Sequence, residues 1–235
     1  MDELSTLNYL WKKLEQRKLF DKYPENDCRN DYYGYSYDVM RNYYQLFTIH
    51  SIIGNAIDDL IKCDPTLKPK EVHINNILNV YSNNTLTKSY NANMNRSIIV
   101  DGLAAFETSI TEVLKSLSQN NSSSKKTLHA NINDLFIRLG NNYRRDHKED
   151  IKFLDFFRRL RNALHSNWYY YGSNYTYTFF GREFLFEKYK VVHWEEPKDS
   201  SHNLYFEMMS RLNDIFDEIA HACGDKLLPY LKYHE

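Results

Sequence analysis

Residues 37–63, YDVMRNYYQLFTIHSIIGNAIDDLIKC, contain no proline and Gly54 as their one glycine, and apolar side chains recur along them at helical spacing. A chain with so little to interrupt a helix forms a long one. Ser36 and Asp38 stand near its start as caps, and Asp64-Pro65 marks its stop. The scarcity of breakers extends to the whole protein, with seven glycines and five prolines in 235 residues. Few turns and long elements follow, so helices are expected to dominate.

The same reading predicts helices over 2–20, 70–83, 97–119, 127–145, 147–166 and 203–223, the last capped by Gly224. Polar connections are expected over 21–36, DKYPENDCRNDYYGYS, and over 83–97, and NNSSSKK ends the helix before it. Residues 175–194 differ in character. YTYTFFGREFLFEKYKVVHW alternates aromatic and polar residues around Gly181-Arg182, which is the pattern of a β-hairpin with a glycine turn. The expected fold is therefore all-α, a helical bundle with a small β-hairpin inserted before the C-terminal helix, in a single domain over 1–235. Its apolar content of 42% is enough for one good core.

A net charge of -1 and a pI near 6.8 leave no global field for a polyanion. Duplex DNA is a poor partner, and any nucleic-acid contact must use a local basic patch. Cys28, Cys63 and Cys223 are distant from one another and lack CxxC or Cys/His spacing, so neither a disulfide framework nor a zinc site is expected, and their default role is buried filler. A charged N-terminus without a signal-peptide pattern, and no apolar run long enough to span a bilayer, point to a cytoplasmic protein with no membrane partner.

Chemistry concentrates in FFRRLRNALHSNWYYYG, residues 156–172. Ile151, Leu154, Phe157, Leu160 and Leu164 recur at core spacing. Arg158, Arg161, Asn162 and His165 share another face near the helix C-terminus, and Asp155 begins that stripe. The helix dipole favours cations there, which is one sufficient reason for the charge. The other is chemical: a guanidinium fork binds phosphate oxygens, and an imidazole beside it moves a proton near neutral pH.

RRLRNALHSN, residues 158–167, resembles the Arg-spacer-His signature of the HEPN superfamily of helical domains. LRNALHSNWYYYG followed by YTYTFFGREFLFEKY is similar to bacterial HEPN-like proteins in which an RNxxHxN helix end precedes a short β-hairpin. The likeness is confined mainly to residues 155–189. It implies a bundle that dimerises along this helix and a metal-independent endoribonuclease of the toxin or phage-defence kind. His165 would be general acid or base at a ribose 2′-hydroxyl, Arg161 and then Arg158 would stabilise the phosphorane, and Asn162 would orient them. Single-stranded RNA is the implied substrate, with a homodimer and an antitoxin or other protein as implied partners.

HEPN nucleases generally separate Arg and His by four to six residues. Arg161 and His165 have three between them, whereas Arg159 gives five and Arg158 six. A regular helix turns Arg159 about 120° from His165. The shorter spacing favours an alternative, a non-catalytic HEPN-like module that binds RNA, a nucleotide or a protein. A third role for the stripe is an ion-pair network with Asp155. The aromatic run Trp168, Tyr169, Tyr170 and Tyr171 is a candidate for stacking on unpaired bases, the first three foremost, against an ordinary role in packing. Glu107 is read as a solvated helix position that is also available to a motif arginine. No metal site is read, because Asp58 and Asp59 diverge on a helix and His50, His73, His129, His193 and His202 lack ligand spacing. No cofactor motif is present: GxxxxGK[ST] and GxGxxG are both missing.

Overall fold

The computed structural model describes residues 3–16, 23–24, 26–63, 85–118, 127–195, 203–225 and 228. Among these it is mostly helical, with a small antiparallel β region. The helices are α1 (Glu3–Gln16), α2 (Arg29–Cys63), α3 (Thr85–Ser118), α4 (Leu128–Leu139), α5 (His147–His165) and α6 (Leu204–Ala222). Between α5 and α6 lie β1 (Tyr169–Tyr170), β2 (Tyr175–Phe179), β3 (Arg182–Phe186), β4 (Lys190–Val191) and β5 (His193–Trp194). None of the described helices is long and apolar enough to cross a membrane. The helix expected over 70–83 lies outside the described residues.

Helix α3 is central, touching α2, α4, α5 and α6. Its Phe106 meets Tyr32 of α2 and Phe216 of α6, and Tyr32 stacks on Phe216 at 3.9 Å. Each such buried ring contributes about 1.5–3 kcal/mol. Gly102 lets α3 approach α6, because a methyl there would overlap Met209 Sδ.

Two polar regions expected to be loops are helical. Helix α2 begins at Arg29, within the predicted 21–36 connection, and Ser36 is a buried interior residue rather than a cap. Tertiary packing overrides the weak local preference: Tyr32 donates to Asn213 Oδ1 at 2.8 Å and Ser36 to the same oxygen at 2.5 Å. A buried Asp27–Arg29 pair anchors the start of the helix. Arg29 donates to Asp27 through Nε and Nη2, and to the carbonyls of Ala220 and Gly224 at 3.1 and 2.7 Å, which ties α2 to the end of α6. Helix α3 likewise begins at Thr85, inside the predicted 83–97 connection. Its Asn95 accepts from the Tyr43 hydroxyl of α2 at 3.2 Å, a contact invisible to local pattern.

Helix α4 stops at Leu139, short of the predicted 145, because Gly140 turns to φ +49 and opens a 3₁₀ turn. The last two helices follow their caps. Asp146 accepts from the Lys148 and Glu149 amides, Asn203 accepts from Phe206, and Gly224 at φ +70 lies just beyond α6.

The β region is richer than one hairpin. Strands β2, β3 and β5 form one sheet in the order β2-β3-β5, and β1 pairs antiparallel with β4 in a second ribbon. Phe179 faces Arg182 in register, so the tight turn is Phe180–Gly181, one residue earlier than predicted, with φ +48 and +71. Buried Phe179 and Phe184 pack on Phe153 and Phe156 of α5. Helix α5 is thus covered by α3 on one side and the hairpin on another.

Candidate functional site

The site begins where α5 ends. The Asn167 amide donates to Leu164 O at 3.3 Å and the Trp168 amide to Ala163 O at 2.7 Å, the paired bonds of a Schellman stop. Asn167 takes φ +54, which asparagine tolerates better than most residues. Trp168 follows at φ +70 and is held by its ring contact with Trp194 at 5.3 Å. The chain then reverses, and β1 runs back beside the last turns of the helix.

This reversal forms a cleft of about 490 Å³ between the α5 C-terminus and the β1–β2 connection. Arg158, Arg159, Asn162, His165, Tyr169 and Tyr170 line it. Five of the seven sequence candidates for catalysis or stacking are therefore gathered in it: Arg158, Asn162 and His165, joined by Tyr169 and Tyr170. Arg161 is not among them. It turns toward α3, where Nη1 lies 3.5 Å from Glu107 Oε2 and Nε is buried without a hydrogen bond. Glu107 is thus a partner for a motif arginine as well as a partly solvated position. Trp168 is also outside the cleft, half-buried on Trp194.

Arg159 takes the place that the shared helix face assigned to Arg161. A regular helix turns its Cα away from His165, yet the side chain reaches the cleft because β1 delivers Tyr170 to meet it. Arg159 Nη1 donates to the Tyr170 hydroxyl, and its guanidinium lies 4.4 Å from the centre of the Tyr175 ring. Tyr170 is buried against Phe186, so it forms the cleft wall and offers no open face for a base. Gly172 makes this possible, since a methyl there would overlap the Tyr170 phenol.

Asp155 organises the basic wall. Its Oδ1 accepts from Arg158 Nη2 at 2.5 Å and its Oδ2 from Arg159 Nε at 2.7 Å. Burial raises its carboxyl, but the hydrogen bonds from Arg159 and Arg158 outweigh burial and hold it below the ordinary aspartate value. Arg159 is raised: burial lowers it, and the bond to Asp155 more than offsets that. Both arginines keep spare N–H groups, and together with Asp155 they carry a net positive charge. Asn162 and His165 are exposed and make no side-chain hydrogen bond among the described residues. The expected orienting bond from Asn162 is therefore not formed.

Elsewhere the polar clusters are structural. Asp150, fully buried, accepts from Tyr143, Arg145 and Arg211. No group of three or more His, Cys, Asp or Glu among the described residues could hold a metal ion. Cys28 is buried and its thiol is pushed by burial up to about 12, whereas Cys63 is exposed rather than the filler expected.

No family model matches the chain, and neither a curated protein nor a solved structure matches it.

Helix angle alone set Arg159 aside, and no motif singled out Gly172 or Tyr189. The spacing of five residues between Arg159 and His165 was the signal that favoured Arg159, and for Gly172 the signal was a rare glycine directly after three tyrosines.

Proposed function

We propose that the protein is a metal-independent endoribonuclease of the HEPN type acting on single-stranded RNA. The observation that carries this reading is the cleft in which Arg158, Arg159, Asn162 and His165 converge at a helix end. Both arginines lie at HEPN-like spacings from His165, which removes the difficulty raised by Arg161. In the proposed reaction His165 takes the proton of a ribose 2′-hydroxyl. The oxygen attacks the adjacent phosphorus, the bond to the 5′-oxygen breaks, and that oxygen leaves with a proton while the other product keeps a cyclic phosphate. Arg158 and Arg159 stabilise the added charge on the phosphorane. The HEPN fold, a homodimer, an antitoxin and a cytoplasmic setting belong to the same proposal.

The test is cleavage of end-labelled single-stranded RNA in EDTA by wild type, His165→Ala, Arg158→Ala and Arg161→Ala, each checked for equal folding. Cyclic-phosphate ends from wild type and Arg161→Ala are expected, with about a hundredfold loss or more in the other two. Equal activity in His165→Ala, or no cleavage by folded wild type, refutes catalysis at this cleft.

A second reading is favoured by one observation. Asp155 already holds both cleft arginines, which suits reversible binding of a phosphate as well as catalysis. A non-catalytic module that binds RNA through the same cleft would then retain affinity without cleavage.

A further inference from the structure

Two tyrosines outside the catalytic proposal stand at the cleft mouth in a manner that packing does not explain. Tyr171 lines the cleft and is 61% exposed, and Tyr189, 65% exposed, meets it edge-on at 6.1 Å. Tyr189 also has φ +64, a conformation that costs a bulky residue free energy and that glycine or asparagine adopts cheaply. It occupies the second central position of the turn closed by Lys190 N–H to Glu187 O at 3.0 Å, and its own amide donates to Tyr170 O at 2.7 Å. Trp168 carries similar strain, but its ring is half-buried on Trp194. Tyr189 pays the same backbone cost and leaves most of its ring in water.

Cations stand beside the pair. Lys188 Nζ sits 4.8 Å from the Tyr189 ring centre, and Arg158 and Arg159 line the adjoining cleft. An exposed ring beside cations that track a phosphate is the arrangement that holds an unpaired nucleobase. We propose that Tyr171 and Tyr189 grip one unpaired base of a single-stranded RNA whose neighbouring phosphate lies in the cleft. The proposal rests on the RNA reading above and names the side chains that contact the base. It withdraws this role from Trp168 and Tyr170, whose rings are covered, keeps it for Tyr171 and adds Tyr189, the residues that directly follow β1 and precede β4. Sequence tolerance follows, because a ring face reads no base edge.

The experiment uses the full chain and a fluorescein-labelled 2′-O-methyl oligouridine, which binds without being cleaved, beside an abasic oligomer of equal length. Tyr171→Ala and Tyr189→Gly are compared with wild type by anisotropy and thermal melting. Each variant is expected to lose roughly 5- to 150-fold in affinity for the oligouridine and little for the abasic strand. Tyr189→Gly should also melt higher than wild type, since glycine relieves the left-handed residue. Equal losses on both strands, or unchanged affinity for oligouridine, overturn the base contact. So does a wild type that binds neither strand, which would make the exposed pair a surface for a protein. Cleavage separates the two proposals: variants that still cut RNA and bind both strands like wild type leave the nuclease standing without the base grip. Base-dependent binding without cleavage does the reverse.

Discussion

Asp150 offers a stringent test of how the helix bearing the cleft is held. Its carboxylate has no solvent exposure, and it accepts from Tyr143 Oη at 2.6 Å, Arg145 Nε at 3.0 Å and Arg211 Nη2 at 2.6 Å. It lies in the first turn of α5, where the helix dipole also favours a negative charge. Asp150→Ala removes all of these acceptors at once. Loss of one partner from a buried ion pair costs about 3–5 kcal/mol. Arg145 and Arg211 retain 27% and 34% exposure, so water recovers part of that, and about 2–3 kcal/mol is the discounted figure. The Tyr143 hydroxyl, in a residue 7% exposed, adds about 1 kcal/mol for a donor left unmatched. The sum is roughly 3–4 kcal/mol, which for a chain of this size lowers Tm by about 10 °C. Urea titration and calorimetry measure it, and Asp150→Asn should cost nearly as much, because its amide N–H₂ faces cations that it cannot bond. A loss below about 1 kcal/mol for Asp150→Ala would refute the reasoning. It would mean that the three donors find water or other acceptors without penalty.

Asp155→Asn should remove about 1 kcal/mol at pH 7, measured by urea unfolding, after discounting for the partial exposure of Arg158. Because the folded carboxyl lies below its unfolded value of about 3.9, the wild-type advantage is full above that pH and disappears as pH falls through the folded value; an advantage unchanged at pH 2 would contradict the pairing. Gly172→Ala should destabilise by about 1–3 kcal/mol through overlap with the Tyr170 phenol and weaken binding of the oligouridine. Thermal melting and anisotropy check it, and a neutral result on both would show that the cleft wall yields freely.

The division between what was legible in the chain and what was not follows from the range of the forces involved. Helical periodicity and the aromatic alternation of the hairpin are set within a few residues, so they could be read directly. So could the clustering of Arg158, Asn162 and His165, which one helix face imposes. Tertiary structure decided the rest. The helical state of residues 29–36 depends on Asn213, on Phe216 and on carbonyls at the end of α6, all remote in sequence. The β1–β4 ribbon depends on a reversal after Asn167 that brings Tyr170 back to Arg159. Arg161 left the cleft for the same kind of reason: the side facing Glu107 belongs to α3, and helical angle alone does not say which neighbour claims a guanidinium. Local pattern determined which residues share a face, and packing between distant segments determined which face meets the cleft.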